Sequence, residues 1–366
     1  MGLFSEGDKK LTAEQVLDAL RTVQEPELHK DLVTLNMVKD LAVDDGRVWM
    51  TINLTTPACP LKDVIERDVR AALGKLDGYR DVTIKWDATV PPGRAVQARG
   101  GIPGVKNILA VASGKGGVGK TTIAVNLAVA LQLMGSRVGL LDADVYGPNV
   151  PVLLGTSDQP YARGERIIPI ESHGLKVMSM GFLSPGDRPL IWRGPMLHQV
   201  LQQFLRQVEW GELDYLVLDL PPGTGDVQLS LIQTTPLSGA VIVTTPSIVA
   251  LADVRKAIEM FRQVKVDILG VVENMSYFLC PHCGQRTEIF SYGEGKSTAE
   301  QFQVPFLGEV PLNSNIRLYG DTGRPVVTLG EDTPEAKPFF ELARQVAAAL
   351  SVAALRESAT PLVQIQ

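Results

Sequence analysis

Apolar positions follow two regimes along the chain. Between residues 12 and 86 helical spacing and strand alternation are mixed. Thr12 is placed to cap a helix with Leu17, Leu20 and Val23 on one face. Residues 37–43 and 48–54 read as strands that meet at the turn Asp44-Asp45-Gly46. A second helix is expected after Cys59-Pro60, with Val64, Ile65, Val69 and Leu73 at helical spacing, and residues 82–86 close the group as a strand. The stretch from Pro91-Pro92-Gly93 through Gly100-Gly101-Ile102-Pro103-Gly104 is rich in proline and glycine and has little to bury, which predicts a linker.

From Asn107 onward the pattern changes. Short apolar runs at 108–112, 138–141, 215–218, 240–243, 268–272 and 304–307 alternate with helical stretches. Runs of this length, apolar on both faces and separated by helices, imply parallel strands in a layered α/β sandwich. The expected organisation is a small α+β domain over residues 1–90, a flexible linker over 91–106 and an α/β domain with a mainly parallel sheet over 107–366. The last helix, 334–355, is apolar along one side through Phe340, Leu342, Val346, Ala349 and Leu350. Its other side is not strongly basic, so packing onto the sheet is expected rather than membrane docking.

Composition narrows the class. A chain of 366 residues, 45% hydrophobic and 21% charged, is long enough for two globular domains. Residues 1–8 lack a basic region followed by an apolar one, and Glu6 stands where a myristoylation signal needs Ser or Thr, so neither export nor a lipid anchor is expected. No uninterrupted apolar run reaches the length of about 18 residues needed to span a bilayer. Three cysteines are too few for a disulfide framework and fit a reducing compartment, which makes the cytoplasm the expected location. A net charge of -6 and a pI near 5.4 argue against broad electrostatic binding to nucleic acid, and no nucleic-acid or membrane partner is expected.

The segment Gly114-Lys115-Gly116-Gly117-Val118-Gly119-Lys120-Thr121 matches the phosphate-loop pattern between an expected strand and a helix that includes Thr122. The glycines let backbone N–H groups curl around phosphates, and the helix N-terminus adds its dipole. Lys120 would reach the β and γ phosphates and the Thr121 hydroxyl would ligate Mg²⁺. Asp142 and Asp144, and then Asp219-Leu220-Pro221-Pro222-Gly223, follow two of the expected parallel strands, where ligands bind in such sheets. Lys115, directly after the first loop glycine, resembles the signature lysine of the deviant-Walker ATPases, the class of MinD, ParA, ArsA and the nitrogenase iron protein. That resemblance implies that Lys115 reaches the nucleotide of a partner copy, that Asp144 orients the attacking water, that Asp219 holds the Mg²⁺ shell and that Gly223 senses the γ phosphate. Asp142 would share in the metal shell. Asn274 and Pro311 occupy places that resemble the adenine pocket of the class.

Cys280 and Cys283, in Cys280-Pro281-His282-Cys283-Gly284, have the form of a metal knuckle. A disulfide oxidoreductase motif shares this form but needs a following helix, whereas residues 285–291 alternate as an extended segment. A tetrahedral sulfur site asks for four ligands, and a symmetric dimer would gather them from two chains. Either a [4Fe–4S] cluster or zinc suits such a site.

The runs 142–151 (DADVYGPNVP), 192–196 (WRGPM), 219–226 (DLPPGTGD) and 273–284 (ENMSYFLCPHCG) resemble the Mrp/ApbC family of iron–sulfur cluster carrier ATPases. That resemblance implies a slow ATPase that binds a bridging [4Fe–4S] cluster between the thiol pairs of a homodimer, receives it from cluster donors and delivers it to apoproteins. The run 54–60 (LTTPACP) resembles the SufT-type cluster-assembly domain. Cys59 lies just before a helix, where the dipole would favour thiolate, its bland alternative being a buried inert cysteine. Two competing readings are a MinD/ParA-like positioning ATPase with incidental thiols and a structural zinc-bridged dimer that binds ATP.

Overall fold

The computed structural model describes residues 10–98, 100–145, 147–183, 194–280, 282–290 and 293–356. The start 1–8, Tyr146, Trp192, Arg193, Pro281 and Ser291, on which some sequence expectations fall, lie outside the described residues. The chain divides into two compact units, one of residues 1–91 with 355–366 and one of residues 92–354.

In the first unit, α1 (Ala13–Leu20) starts at a capping box: the Thr12 hydroxyl accepts the Gln15 N–H while the Gln15 side chain accepts the Thr12 N–H. The helix buries Val16 and Leu20. Leu17, expected on that face, is only half-buried, and Val23 is buried beyond the helix end. Strands β1 (Val38–Asp44) and β2 (Arg47–Leu54) pair antiparallel through a tight turn whose Asp45 and Gly46 both have positive φ, 44° and 75°. Helix α2 (Lys62–Leu73) then returns the chain to β3 (Asp81–Ala88), parallel to β2. Ile65, Val69 and Leu73 of α2 close the core over Val16, Leu20 and Ile52.

The second unit opens with α3 (Arg94–Ala98), inside the stretch expected as bare linker. Val96 and Ile102 join its core, two apolar side chains that the surrounding proline and glycine mask in the sequence. Gly93 sits so close to Ser238 that a Cβ there would lie 2.2 Å from its hydroxyl oxygen. The elements that follow are β4 (Val105–Ser113), α4 (Lys120–Leu133), β5 (Val138–Asp142), β6 (Ile170–Ser172) and β7 (Leu175–Ser179). Next come α5 (Gly194–Gln207), β8 (Leu213–Asp219), α6 (Asp226–Thr234), β9 (Gly239–Thr244) and α7 (Ile248–Gln263). The remainder is β10 (Ile268–Leu279), β11 (Arg286–Thr287), α8 (Glu294–Gln301), β12 (Phe306–Leu312), α9 (Ser314–Asp321) and α10 (Lys337–Leu355).

These form a nine-stranded sheet in the order β6-β7-β5-β8-β4-β9-β10, with β11 and β12 both bonded to β10. All its pairings are parallel except those of β6 with β7 and β11 with β10. Every residue of β5, β8 and β9 is buried, which is why these runs carry no alternation. Because β4 lies between β8 and β9, the chain reverses its direction of winding there, and the carboxyl ends of β4, β5 and β8 open a crevice. β10 runs seven residues beyond the expected 268–272, with consequences for the thiol pair. By length and hydropathy α10 could cross a membrane, but half of it is buried, with Phe339, Leu342, Val346 and Leu350 facing inward.

Candidate functional site

β4 delivers the chain at Ser113 into the glycine loop, and α4 begins at Lys120. The loop needs its last glycine twice over. Gly119 has φ +80°, and a Cβ there would stand 2.2 Å from the Asn274 amide nitrogen. Lys120 is almost fully buried; its Nζ donates to Asp219 Oδ1 at 2.5 Å and lies 3.5 Å from Asp144 Oδ2. The Thr121 hydroxyl donates to Asp219 Oδ2 at 2.7 Å. The register of β5 against β8 sets Asp142 beside Asp219, while the carboxylates of Asp144 and Asp219 converge on one ammonium.

Burial is the largest influence on Asp142 and pushes its carboxyl up to about 8, with Asp219 adding to the rise and the Ser179 hydroxyl opposing it. Burial also raises Asp219, against the pull of Lys120 and Thr121. Both oxygens of Asp142 are engaged within the chain. Its Oδ1 accepts the Asp144 N–H, and its Oδ2 accepts the Val150 N–H and the Ser179 hydroxyl. Asp142 therefore shapes the loop that presents Asp144. Asp144 is 8% exposed and its Oδ1 has no partner, an orphaned buried acceptor that calls for a ligand. Together with the Thr121 hydroxyl and the Asp219 carboxylate it offers the hard oxygen donors that suit Mg²⁺.

A cavity of about 330 Å³ lies over the loop, bordered by Lys115, Gly116, Thr121, Thr122, Asp144 and Pro222. Lys115 forms no ion pair among the described residues. Gly223, at φ +94°, donates its N–H to the Ser113 carbonyl and so ties the loop after β8 to the start of the glycine loop. A second hollow of about 190 Å³ continues from the first through Gly119, Thr122, Leu153 and Asp321, and is bordered by Asn274 and Pro311. Met275, Asn313 and Arg317 also line it. These were not legible, because they come from a strand bulge and a helix whose approach to the glycine loop is a tertiary matter. The Asn274 amide donates to the Val118 carbonyl at 2.9 Å.

Both thiols leave the sheet at the end of β10. The turn closes through Cys280 N–H to the Gln285 carbonyl and Gly284 N–H to the Cys280 carbonyl, with Gly284 at φ +70°. β11 then pairs antiparallel with Phe278 and Leu279, so the segment expected to be extended forms a hairpin. Cys280 is half-buried, and Cys283 and His282 are exposed. The N–H groups of His282 and Cys283 and the Cys283 thiol point at the Cys280 sulfur and hold its pKa below the ordinary thiol value. Arg286 braces the hairpin: its guanidinium stacks 4.0 Å from the Tyr277 ring and pairs with Glu288 and Glu309. Among the described residues no group of three or more His, Cys, Asp or Glu side chains could hold a metal, so the pair has no further ligand within these residues.

Cys59 behaves contrary to the dipole expectation. Burial, with smaller contributions from Glu27 and Glu25, pushes its thiol up to about 11, outweighing an N–H from Leu61. Helix α2 starts only at Lys62, three residues beyond Cys59.

Two family descriptions match the chain: an NUBPL iron-transfer P-loop NTPase over residues 104–347 and an iron–sulfur cluster assembly protein over residues 13–86. An iron–sulfur cluster carrier protein of Synechocystis sp. is 49% identical over 94% of this chain and 99% of its own length. One of Deinococcus radiodurans is 50% identical over 93% and 97%. The iron–sulfur cluster transfer protein NUBPL of Dictyostelium discoideum is 49% identical over 69% of this chain and 79% of its own length. A solved nucleotide-binding protein from Archaeoglobus fulgidus, in complex with ADP, is similar at a TM-score of 0.58 and 40% identity over 66% of this chain and 95% of that one.

Proposed function

The chain belongs to the family of iron-transfer P-loop NTPases, the iron–sulfur cluster carriers, and from that premise we propose that it binds a [4Fe–4S] cluster between two copies of itself and delivers it to apoproteins. The observation that carries this reading is the thiol hairpin: two accessible sulfurs on one knuckle, at the end of a strand that also borders the nucleotide cavity. Two chains related by a two-fold axis beside Cys280 and Cys283 supply the four thiolates that one chain lacks. The cluster is cargo, and a pair of one half-buried and one exposed thiol suits cargo that must leave again.

In this reading ATP lies along the two joined hollows. The N–H groups of Gly116–Thr121 and the Lys120 ammonium take the β and γ phosphates, and Lys120 exchanges its bond to Asp219 for one to the phosphate. Thr121 and Asp219 hold Mg²⁺, which when bound neutralises phosphate charge. Asp144, with one oxygen unengaged, orients the attacking water; Gly223 follows the γ phosphate; Asn274 and Pro311 flank the adenine. Lys115 reaches the nucleotide of the partner copy. Because one chain by itself leaves Lys115 without its target, hydrolysis is slow until the dimer closes. Open thiols keep this role only in reducing surroundings, and the cytoplasm is the proposed location.

Protein reconstituted with iron and sulfide in the absence of oxygen tests the reading. We expect the broad visible absorbance of a cluster, with iron and acid-labile sulfide matching one [4Fe–4S] per two chains, lost in the Cys280→Ala, Cys283→Ala double variant. Stoichiometric zinc without sulfide, or a cluster that survives the double variant, would sink it.

A further inference from the structure

One carboxylate closes the thiol hairpin at its base. Glu273 of β10 is completely buried; its Oε1 accepts the Ser276 hydroxyl at 2.7 Å and its Oε2 accepts the Gly295 N–H at 2.6 Å. Ser276 is where the chain departs toward the thiols, and Gly295 lies in the first turn of α8, where it has come back. The excursion bearing Cys280 and Cys283 therefore has both its ends on one side chain. The fit at Gly295 is tight, since a Cβ there would stand 2.6 Å from Glu273 Oε2. Burial raises this carboxyl, against the two hydrogen bonds it accepts.

The neighbouring residue faces the nucleotide. Asn274 borders the base hollow and holds the Val118 carbonyl of the glycine loop. Between these contacts the backbone is strained: Met275 has φ +56°, unusual outside glycine, and the register of β10 against β12 slips between Asn274 and Phe278. β12 repeats the arrangement. Glu309, in register with Glu273, pairs with Arg286 of the hairpin at 3.0 Å, and Pro311, two residues on, borders the base hollow. Two adjacent strands thus touch the nucleotide cavity and the hairpin base within two residues of each other.

We propose that Glu273 is the positioning residue through which nucleotide occupancy is transmitted to the thiol pair. Filling the cavity shifts Asn274 and the loop carbonyl it holds. The strained Met275 joint turns that shift into a change at the hairpin base, and Glu273 makes both ends of the hairpin follow together. The inference rests on the reading that nucleotide state governs the cargo site, but its test needs no cargo.

In the cluster-free full chain, alkylation of Cys280 and Cys283 by iodoacetamide is followed peptide by peptide, separately from Cys59. Saturating ATP with Mg²⁺ should change their rates by about fivefold or more in the wild type. Glu273→Ala should abolish that nucleotide effect while ATP affinity, measured by equilibrium dialysis, is retained. Glu273→Gln should restore it, because the amide can still accept from Gly295 N–H and donate to the Ser276 oxygen. Ser276→Ala, which removes one arm with little risk to folding, should reduce it part of the way. A wild type without a nucleotide effect, or an undiminished effect in Glu273→Ala or Ser276→Ala, overturns the proposal. Failure to assemble a cluster while the alkylation effect persists strikes the carrier reading and leaves this coupling standing.

Discussion

Cys280 and Cys59 carry the same side chain in opposite surroundings. Three donors converge on the Cys280 sulfur, whereas burial and two nearby glutamates hold Cys59 protonated up to about 11. Only the thiolate is nucleophilic, so a depressed pKa moves reactivity to lower pH and a raised one to higher. Alkylation profiles should place the midpoint for Cys280 below that of an ordinary thiol and the midpoint for Cys59 near pH 11, with Cys59 almost inert at neutral pH. Lys120 gives a second expectation at this scale. It is the only described ammonium or guanidinium group in ion-pair contact with buried Asp219, and removing it leaves that carboxylate uncompensated. Lys120→Ala should lower the free energy of unfolding by about 3 kcal/mol in urea titration, besides abolishing nucleotide binding. The glycine loop and its lysines were legible from spacing because the motif is local. The state of Cys59 was not, since it is set mainly by packing against the core of the first unit, which local spacing does not show.

The informative element is β10 with its hairpin. Alternation in residues 285–291 pointed to an extended segment and away from an oxidoreductase helix, and the pairing of Arg286 and Thr287 with β10 agrees. Hidden from the sequence were the extra length of β10, its bulge, and the bracing of Arg286 against Tyr277, Glu288 and Glu309, which depends on β12 arriving alongside. Arg286→Met should keep the fold and loosen the turn. Hydrogen exchange at the Cys280 and Gly284 amides should then speed up by about tenfold, the equivalent of about 1.4 kcal/mol of local stability. An unchanged exchange rate would show that the backbone pairs alone hold the turn. α3 carries the opposite lesson: proline and glycine around Val96 and Ile102 pointed to a bare linker, yet both side chains are taken up by a core they cannot reveal by periodicity.

At the scale of the molecule each compact unit buries hydrophobic residues of its own among the described residues. Calorimetry should resolve two unfolding transitions, and ATP should raise only that of residues 92–354, by about 2.7 kcal/mol at a hundredfold excess over Kd. Sedimentation should show a dimer once cluster is assembled, and the Cys280→Ala, Cys283→Ala variant should remain smaller under the same conditions while still binding ATP. By itself the sequence determined the α/β class, the phosphate loop, most strands of the large sheet but not Ile170–Ser172 and Leu175–Ser179, and the shortage of sulfur ligands. Each of these is written in spacing over a few residues or in a count. Only the tertiary structure decided the hydrogen-bond partners of the three aspartates, the partial burial of Cys59 and the contacts that Glu273 and Asn274 make at the base of the thiol hairpin and beside the glycine loop. Desolvation and hydrogen-bond partnership depend on which strands lie side by side, and in a parallel sheet neighbours in space are remote along the chain.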